Sequence, residues 1–341
     1  MAALFLEKDK NKEKTNVKTM NKLETTYLGL KLRNPLIIAS SGLTNSVEKI
    51  KNLEAKGAGA VVLKSLFEEQ IKMDAGKMVS QTDYPEALDY VNYYIKNNSV
   101  QEYLNLIKEA KAAVKIPIIA SINCVSSKDW VDFAKKIEQA GADALEVNVY
   151  VLPIDRNSSS EKYENIYLEL AEKLKKILTI PFAFKLSFYF SNLVGLVQKL
   201  NVPGVVLFNR LYAPDIDIDT MKFTSADVFS SPADIRFSLR WVGIISSKVA
   251  KVDIAASTGV HDGKAVIKQI LAGATAVQVC STLYKNGIDY LETMTKDIDI
   301  WMTKNGYSSI NGFKGKMSYD KIDDPQIYER SQFMKYFSSI Q

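Results

Sequence analysis

The sequence predicts an α/β chain folded as a (β/α)8 TIM barrel with long loops after strands two and six. Eight short apolar runs alternate with longer stretches of helical period, as a parallel sheet with crossover helices requires. A helix–glycine–strand junction recurs in EAKGAGAVVLK (54–64) and EQAGADALEVN (138–148), and more loosely in LAGATAVQVC (271–280). No strand is followed by a GxGxxG turn, which sets the open doubly wound sheet aside.

Strand one is LIIA (36–39), an unbroken apolar run that reads as buried on both faces, and a helix follows over 45–56. Strand two, AVVL (60–63), leaves the first glycine junction, and a helix is predicted over 99–114. Strand three is IPIIAS (116–121) with a helix at 127–140, and strand four is ALEV (144–147) with a helix at 160–178. FAFKL (182–186), GVVLF (204–208), VDIAA (252–256) and ATAVQV (274–279) complete the ring, with helices at 190–200, 231–250, 262–272 and 283–304. Eight units in roughly 270 residues suit a closed barrel.

Two connections exceed the minimum. Residues 65–98 carry acids, tyrosines and YPEALDY, while 209–230 read NRLYAPDIDIDTMKFTSADVFS without helical period. Insertions on this face roof a pocket or make subunit contacts. In 320–341, Phe333 and Tyr336 stand at helical spacing and suit packing on the barrel. Residues 1–20 read as a flexible leader or a remnant added for expression, with a short amphipathic anchor as the alternative, and 21–341 as one domain.

Composition excludes several classes. Hydrophobic types at 47% with 10% aromatics rule out bulk disorder. Two cysteines in 341 residues form no disulfide scaffold and suit a reducing cytoplasm. No apolar run reaches the ~18 residues of a membrane span. The net charge is +5, of which residues 1–20 supply +2 through five lysines against three acids. The remainder is too small and scattered for a nucleic-acid surface. The one histidine, His261, begins a helix, so neither a histidine base nor a His-rich metal site is expected.

Chemistry in such a barrel comes from residues just after the strands. Those places hold Ser40-Ser41-Gly42, Lys64-Ser65, Asn123-Cys124, Asn148, Lys185, Asn209, Ser257-Thr258-Gly259 and Cys280-Ser281-Thr282. A lysine ending a buried strand must meet an anion or water. Asparagine offers a donor and an acceptor to the amide edge of a planar heterocycle. Small residues preceding helices leave N–H groups free for a phosphate. The set suggests a phosphorylated planar ligand over the barrel mouth with a small anionic substrate beside it.

Over roughly residues 23–317 the chain resembles the class 1 dihydroorotate dehydrogenase family, particularly its single-chain cytosolic branch. LGLKLRNPLIIASSG (28–42), GAGAVVLKS (57–65), GADALEVN (141–148), PFAFKLSFYF (181–190), VVLFN (205–209), IRFSLRWV (235–242), ASTGV (256–260) and VQVCSTL (277–283) carry the likeness. The resemblance implies bound FMN, a flavin oxidising dihydroorotate to orotate, a fumarate-type acceptor and a homodimer. It places Ser40, Ser41, Gly42, Lys64, Ser65 and Lys185 along the flavin. Ser257, Thr258, Gly259, Cys280 and Ser281 fall at its phosphate, and Lys64, Asn148 and Asn209 at the substrate.

The likeness breaks at the base. The family loop NxSCPN reads NVYVLP (148–153) here, so Val151 stands for the cysteine that takes the C5 proton, and valine cannot accept one. Tyr150 and Cys124 are the substitute candidates, although an unperturbed phenol titrates near ~10 and needs activation. Arg210 replaces a small hydroxyl residue beside the substrate, Thr258 the first of two glycines, and Cys280 another glycine. The alternatives are a flavin oxidoreductase acting on another small carboxylated heterocycle, or a catalytically silent metabolite-binding barrel.

Overall fold

Runs such as AVVL and GVVL place strands inside, and amphipathic stretches place helices outside. The protein is described by a computed structural model over residues 22–67, 88–124, 128–149, 151–210, 214–225 and 227–329. The expected leader, Tyr150, Phe333 and Tyr336 lie outside the described residues.

The chain opens with β1 (Thr25–Tyr27), β2 (Leu30–Leu32) and β3 (Leu36–Ile38), then α1 (Val47–Ala55), β4 (Ala60–Val62) and β5 (Leu66–Phe67). Next come α2 (Leu88–Ala113), β6 (Ile118–Cys124), α3 (Lys128–Gln139), β7 (Ala144–Val149) and α4 (Ser160–Ile177). β8 (Phe182–Leu186), α5 (Leu193–Leu200), β9 (Gly204–Leu207), β10 (Pro214–Asp217) and β11 (Lys222–Ser225) follow. The chain continues through α6 (Ile235–Lys248), β12 (Asp253–Ala256), α7 (Gly263–Ala272), β13 (Ala276–Val279), α8 (Ser281–Asn286), α9 (Tyr290–Lys304) and α10 (Gln326–Glu329).

Eight parallel strands run in the order β4-β3-β13-β12-β9-β8-β7-β6, and pairing of β4 with β6 closes the ring. Alternation along each strand separates two cores. Ile37, Val62, Ile119, Ala144, Ala183, Val206, Ala255 and Ala276 fill the interior, alanine suiting its narrow waist. The alternate residues Ile38, Val61, Leu145 and Val205 face outward, in one cluster with Ile50 of α1, Ile107 of α2, Leu174 of α4 and Ile270 of α7. Each such fully buried side chain contributes about 1.5–3 kcal/mol.

The recurring glycine junction has a second part that the sequence did not disclose. Gly57 and Gly141 take φ of 103° and 96°, which a Cβ would strain. The glutamate that opens each junction then reaches the neighbouring strand entry. Glu54 accepts from the N–H groups of Lys115 and Ile116 at 2.7 and 3.0 Å. Glu138 does the same for Thr179 and Ile180 at 2.6 and 3.0 Å.

Several boundaries depart from expectation. The hairpin β1–β2 was not foreseen; its Tyr27, Leu28 and Leu32 join the interior core and stop one end of the barrel. The Leu28 N–H donates to Asp253 Oδ2 at 2.7 Å there. The 65–98 connection is not loop throughout, because β5 extends the sheet along β6 and α2 begins at Leu88. Within 209–230, β10 and β11 form an antiparallel hairpin, Asp217 opposite Lys222. The last predicted helix splits at Gly287, φ 80°, into α8 and α9. Among the described residues no helix is long and apolar enough to cross a membrane.

Candidate active site

The site begins with a bulge. Val62 pairs with Ile119 and Leu66 with Ile122, so four steps on one strand oppose three on the other. The extra residue turns Lys64 out to the exposed rim while Leu63 and Ser65 stay buried. The Ser65 N–H is diverted to Ser40 Oγ at 2.8 Å, and Ser65 Oγ lies 2.7 Å from Ser121 Oγ. Tyr103 from α2 fills the gap left in the ladder. Its hydroxyl donates to the Ser121 carbonyl at 3.0 Å and accepts the Ser121 N–H at 2.7 Å. Burial pushes this phenol well above its usual range, so it remains a neutral donor.

One layer above the alanine waist, the strand alternation turns polar. Glu146, Lys185 and Gln278 project inward from β7, β8 and β13, with 2, 7 and 2% of their surfaces exposed. Lys185 Nζ lies 3.3 Å from Glu146 Oε1 and donates to Gln278 Oε1 at 3.0 Å. Gln278 Nε2 donates to Glu146 Oε2, closing a triangle. An ammonium has three donors, so one remains for the cleft that Lys185 and Gln278 both line.

Asn123 and Asn148 stand two residues further up β6 and β7, and Asn209 follows β9. Asn209 Nδ2 donates to Asn148 Oδ1 at 3.1 Å. Asn123 is 8% exposed, and its Oδ1 has no partner among the described residues. An unsatisfied buried acceptor costs about 1–3 kcal/mol, which a bound donor would recover.

At one end of the cleft the Ser257–Gly259 turn meets Cys280-Ser281. Thr258 and Gly259 take φ of 77° and 78°, and a Cβ on Gly259 would lie 2.0 Å from the Ile235 nitrogen. The N–H groups of Gly259, Val260 and Ser281 have no protein partner among the described residues. Ser281 Oγ accepts from the Ser230 N–H at 3.0 Å. Burial pushes the Cys280 thiol up, so it is no ready thiolate. His261 sits behind this turn with Nε2 3.0 Å from Ser230 Oγ, and burial and then Lys285 lower its pKa.

The structure therefore brings Ser40, Lys185, Asn209, Arg210, Ser257, Thr258, Gly259, Cys280 and Ser281 to one cleft. Asn148 joins it through Asn209, and Ser65 through Ser40. Ser41 caps the short turn that begins at Gly42, accepting the Leu43 N–H at 3.2 Å. Lys64 is not in the cleft lining. Cys124 ends β6 opposite Val149, and its side chain, like Tyr150, lies outside the described residues. Glu146 and Gln278 were missed. Their signal was present: a polar residue inside an apolar strand, two places before a rim residue, shares its inward face. Among the described residues no acid, histidine and cysteine group could hold a metal.

A family described as dihydroorotate dehydrogenase matches residues 22–302. The chain is 29% identical over 307 residues to the dihydroorotate dehydrogenase B (NAD(+)) catalytic subunit of Thermoplasma volcanium, covering 87% of this chain and 98% of that one. It is 26% identical over 303 residues to the catalytic subunit of the same name from Pyrococcus abyssi, at 86 and 98% coverage. For Methanocaldococcus jannaschii the figures are 24% over 291 residues, at 81 and 92%. These relatives carry the name of NAD(+)-type catalytic subunits and so lend no support to the expected single-chain, fumarate-using branch.

Proposed function

The chain belongs to the dihydroorotate dehydrogenase family, and from that premise we propose that it is an FMN-dependent oxidoreductase acting on a small carboxylated heterocycle, with dihydroorotate the first substrate to test. The observation that carries this reading is the buried Lys185–Glu146–Gln278 triangle beneath a cleft that ends in N–H groups with no partner among the described residues. These residues fit the cofactor. The turn at Gly259 has no room for a Cβ, and its free N–H groups suit a phosphate. FMN, when bound, supplies the hydride acceptor that no side chain can supply.

The chain's own residues then bind and orient. The remaining Lys185 donor would hold the electron-rich edge of the flavin ring, and the Glu146–Gln278 pair fixes where that amino group points. Asn148 and Asn209, already bonded to each other, present amide groups to the substrate, and Asn123 Oδ1 offers an acceptor. Oxidation of dihydroorotate removes a proton from C5 and a hydride from C6, so a base is required. Tyr150 and Cys124 remain the proposed candidates, with Lys64, Lys185 or Arg210 as the cation that would activate the Tyr150 phenol.

A second reading keeps the flavin and changes the substrate. It is favoured by Val151 at the family's cysteine position and by Arg210, whose charge has no acidic partner among the described residues. An anaerobic visible spectrum, recorded during titration with dihydroorotate, separates the readings. Bleaching at equal substrate supports the first. Unchanged bands that dithionite still bleaches would leave the flavin and remove dihydroorotate. No flavin bands after reconstitution with FMN would overturn both.

A further inference from the structure

The chain holds one histidine, His261, and neither ligand binding nor proton removal at the reacting ring uses it. It follows the Gly259 turn and precedes Asp262, which caps α7 by accepting the Ala265 N–H at 2.7 Å. Its Nε2 lies 3.0 Å from Ser230 Oγ. Ser230 is 4% exposed and lines the cofactor cleft together with Gly259, Val260 and Ser281. The other polar groups of Ser230 are engaged as well. Its N–H donates to Ser281 Oγ at 3.0 Å, and its carbonyl accepts from Lys285 Nζ at 3.0 Å. One residue earlier, Phe229 stacks on Tyr284 of α8, the centroids 5.3 Å apart at 29°. Asp227 and Val228 hold the Arg210 guanidinium through their carbonyls. Residues 227–230 thus bridge Arg210 and α8, and His261 holds that bridge through a single hydroxyl.

A hydroxyl beside an imidazole changes its role with the proton. An Nε2 without hydrogen accepts the Ser230 O–H. In the charged ring both nitrogens donate, so Oγ accepts and the hydroxyl hydrogen is released to another acceptor. The charges around the ring favour an anion as that acceptor. Burial and then Lys285 of α8 lower the His261 pKa, while the Ser230 contact, Asp234 before α6 and Asp262 before α7 raise it. Both acids already serve backbone groups, Asp234 Oδ2 accepting the Ser231 N–H at 2.8 Å and Asp262 Oδ1 that of Ala265. Lys285 pairs with no carboxylate among the described residues. A dianion entering this cleft therefore meets a lysine without a counter-ion and an imidazole that it can charge.

We propose that His261 is a positioning residue that ties phosphate binding to proton uptake: one proton from solvent charges the ring as the phosphate enters, and the charged ring turns the Ser230 hydroxyl toward the phosphate. The proposal takes its ligand from the FMN reading, and inorganic sulfate, a dianion that does not titrate near neutrality, probes the same cleft without it.

The untagged chain, isotope-labelled at histidine Cε1, gives one signal, so its NMR titration with pH reads His261 alone. With FMN bound the midpoint should stand about 1–3 pH units higher than in the FMN-free chain, as an opposite charge nearby produces. Riboflavin, which lacks the phosphate, should leave the midpoint in place. By reciprocity each unit is about tenfold in FMN affinity, gained as pH falls through the bound midpoint and complete below the free one. His261→Gln keeps a side-chain donor that does not titrate, so flavin-fluorescence titrations should lose this pH dependence relative to the parent chain. The phosphate's own titration is common to both chains and cancels in the ratio. Ser230→Ala should weaken FMN about tenfold where His261 is charged, and less above the bound midpoint.

A midpoint that FMN leaves in place, or that riboflavin raises equally, would overturn the proposal and leave the flavin standing. An unchanged pH dependence in His261→Gln would overturn it too. The NMR arm needs no variant, so a substitution that fails to fold leaves the decision with the parent chain. If FMN does not bind, sulfate decides: a raised midpoint keeps the histidine linkage and removes the flavin, and an unmoved one removes both.

Discussion

Replacing Glu146 by leucine leaves the Lys185 ammonium, 7% exposed, inside the barrel with Gln278 Oε1 as its one remaining acceptor among those described. Removing one member of a buried ion pair costs about 3–5 kcal/mol, because the other charge stays desolvated. Lys185→Met strands the Glu146 carboxylate, 2% exposed, in the same way, with the Gln278 amide as its one remaining donor among the described residues. The double variant Glu146→Leu/Lys185→Met removes both charges together. It should be less destabilised than either single change, since a buried pair replaced by apolar side chains is often neutral or better. Against a typical total stability of about 5–15 kcal/mol, the single losses are large enough to resolve. Urea denaturation, with constant m-values as the check on two-state behaviour, measures all four corners of the cycle. Strictly additive single losses would refute the reasoning, for the two charges would then be independent. The isosteric Glu146→Gln gives the functional arm: the fold should survive, and FMN should bind more weakly as Lys185 loses its orientation.

Tyr103→Phe removes the hydroxyl that serves both the N–H and C=O of Ser121, so a loss of about 1–3 kcal/mol is expected in urea. Burial raises the Glu138 carboxyl, but bonds from Lys135, Thr179 and Ile180 outweigh it and bring its pKa from 4.5 to about 2. A depressed carboxylate stabilises fully above its unfolded value, and the contribution is lost as pH falls toward 2. Glu138→Gln should therefore flatten the stability profile across that window and leave its slope near neutrality unchanged. Gly259→Ala forces a Cβ to 2.0 Å from the Ile235 nitrogen at φ 78°; a loss above about 1 kcal/mol and failure to retain FMN are expected, read by melting and by the 450-nm region, roughly where oxidised flavins absorb. Val151→Cys restores a proton acceptor at the loop position. If dihydroorotate is the substrate and no substitute base acts, stopped-flow bleaching should accelerate by about 10²–10⁴, the usual contribution of a general base; fast bleaching in the parent chain that the variant leaves unchanged would instead support Tyr150 or Cys124 as the base.

The barrel was legible because its signals are local and periodic. All eight strand runs, from LIIA to ATAVQV, became strands of the ring, since short, largely apolar segments between amphipathic helices suit a parallel sheet buried on both faces. The β1–β2 hairpin escaped notice because its strands, TTY and LKL, are three residues each, too short to show a period. In the 65–98 connection the acids and tyrosines hid a helix that starts at Leu88.

The sequence by itself determined which residue types reach the rim: strand ends follow from the apolar runs, and Lys185, Asn148, Asn209 and Ser257–Gly259 stand just beyond them. Only the tertiary structure decided which of these act together. Ring closure sets β7, β8 and β13 around one axis, so Glu146, Lys185 and Gln278, up to 132 residues apart in sequence, form one triangle. A single-residue bulge, set by the register of β4 and β5 on β6, left Lys64 exposed at the rim, whereas Lys185, which also closes an apolar run, is buried. Register is a property of paired strands, and a strand read alone does not contain it.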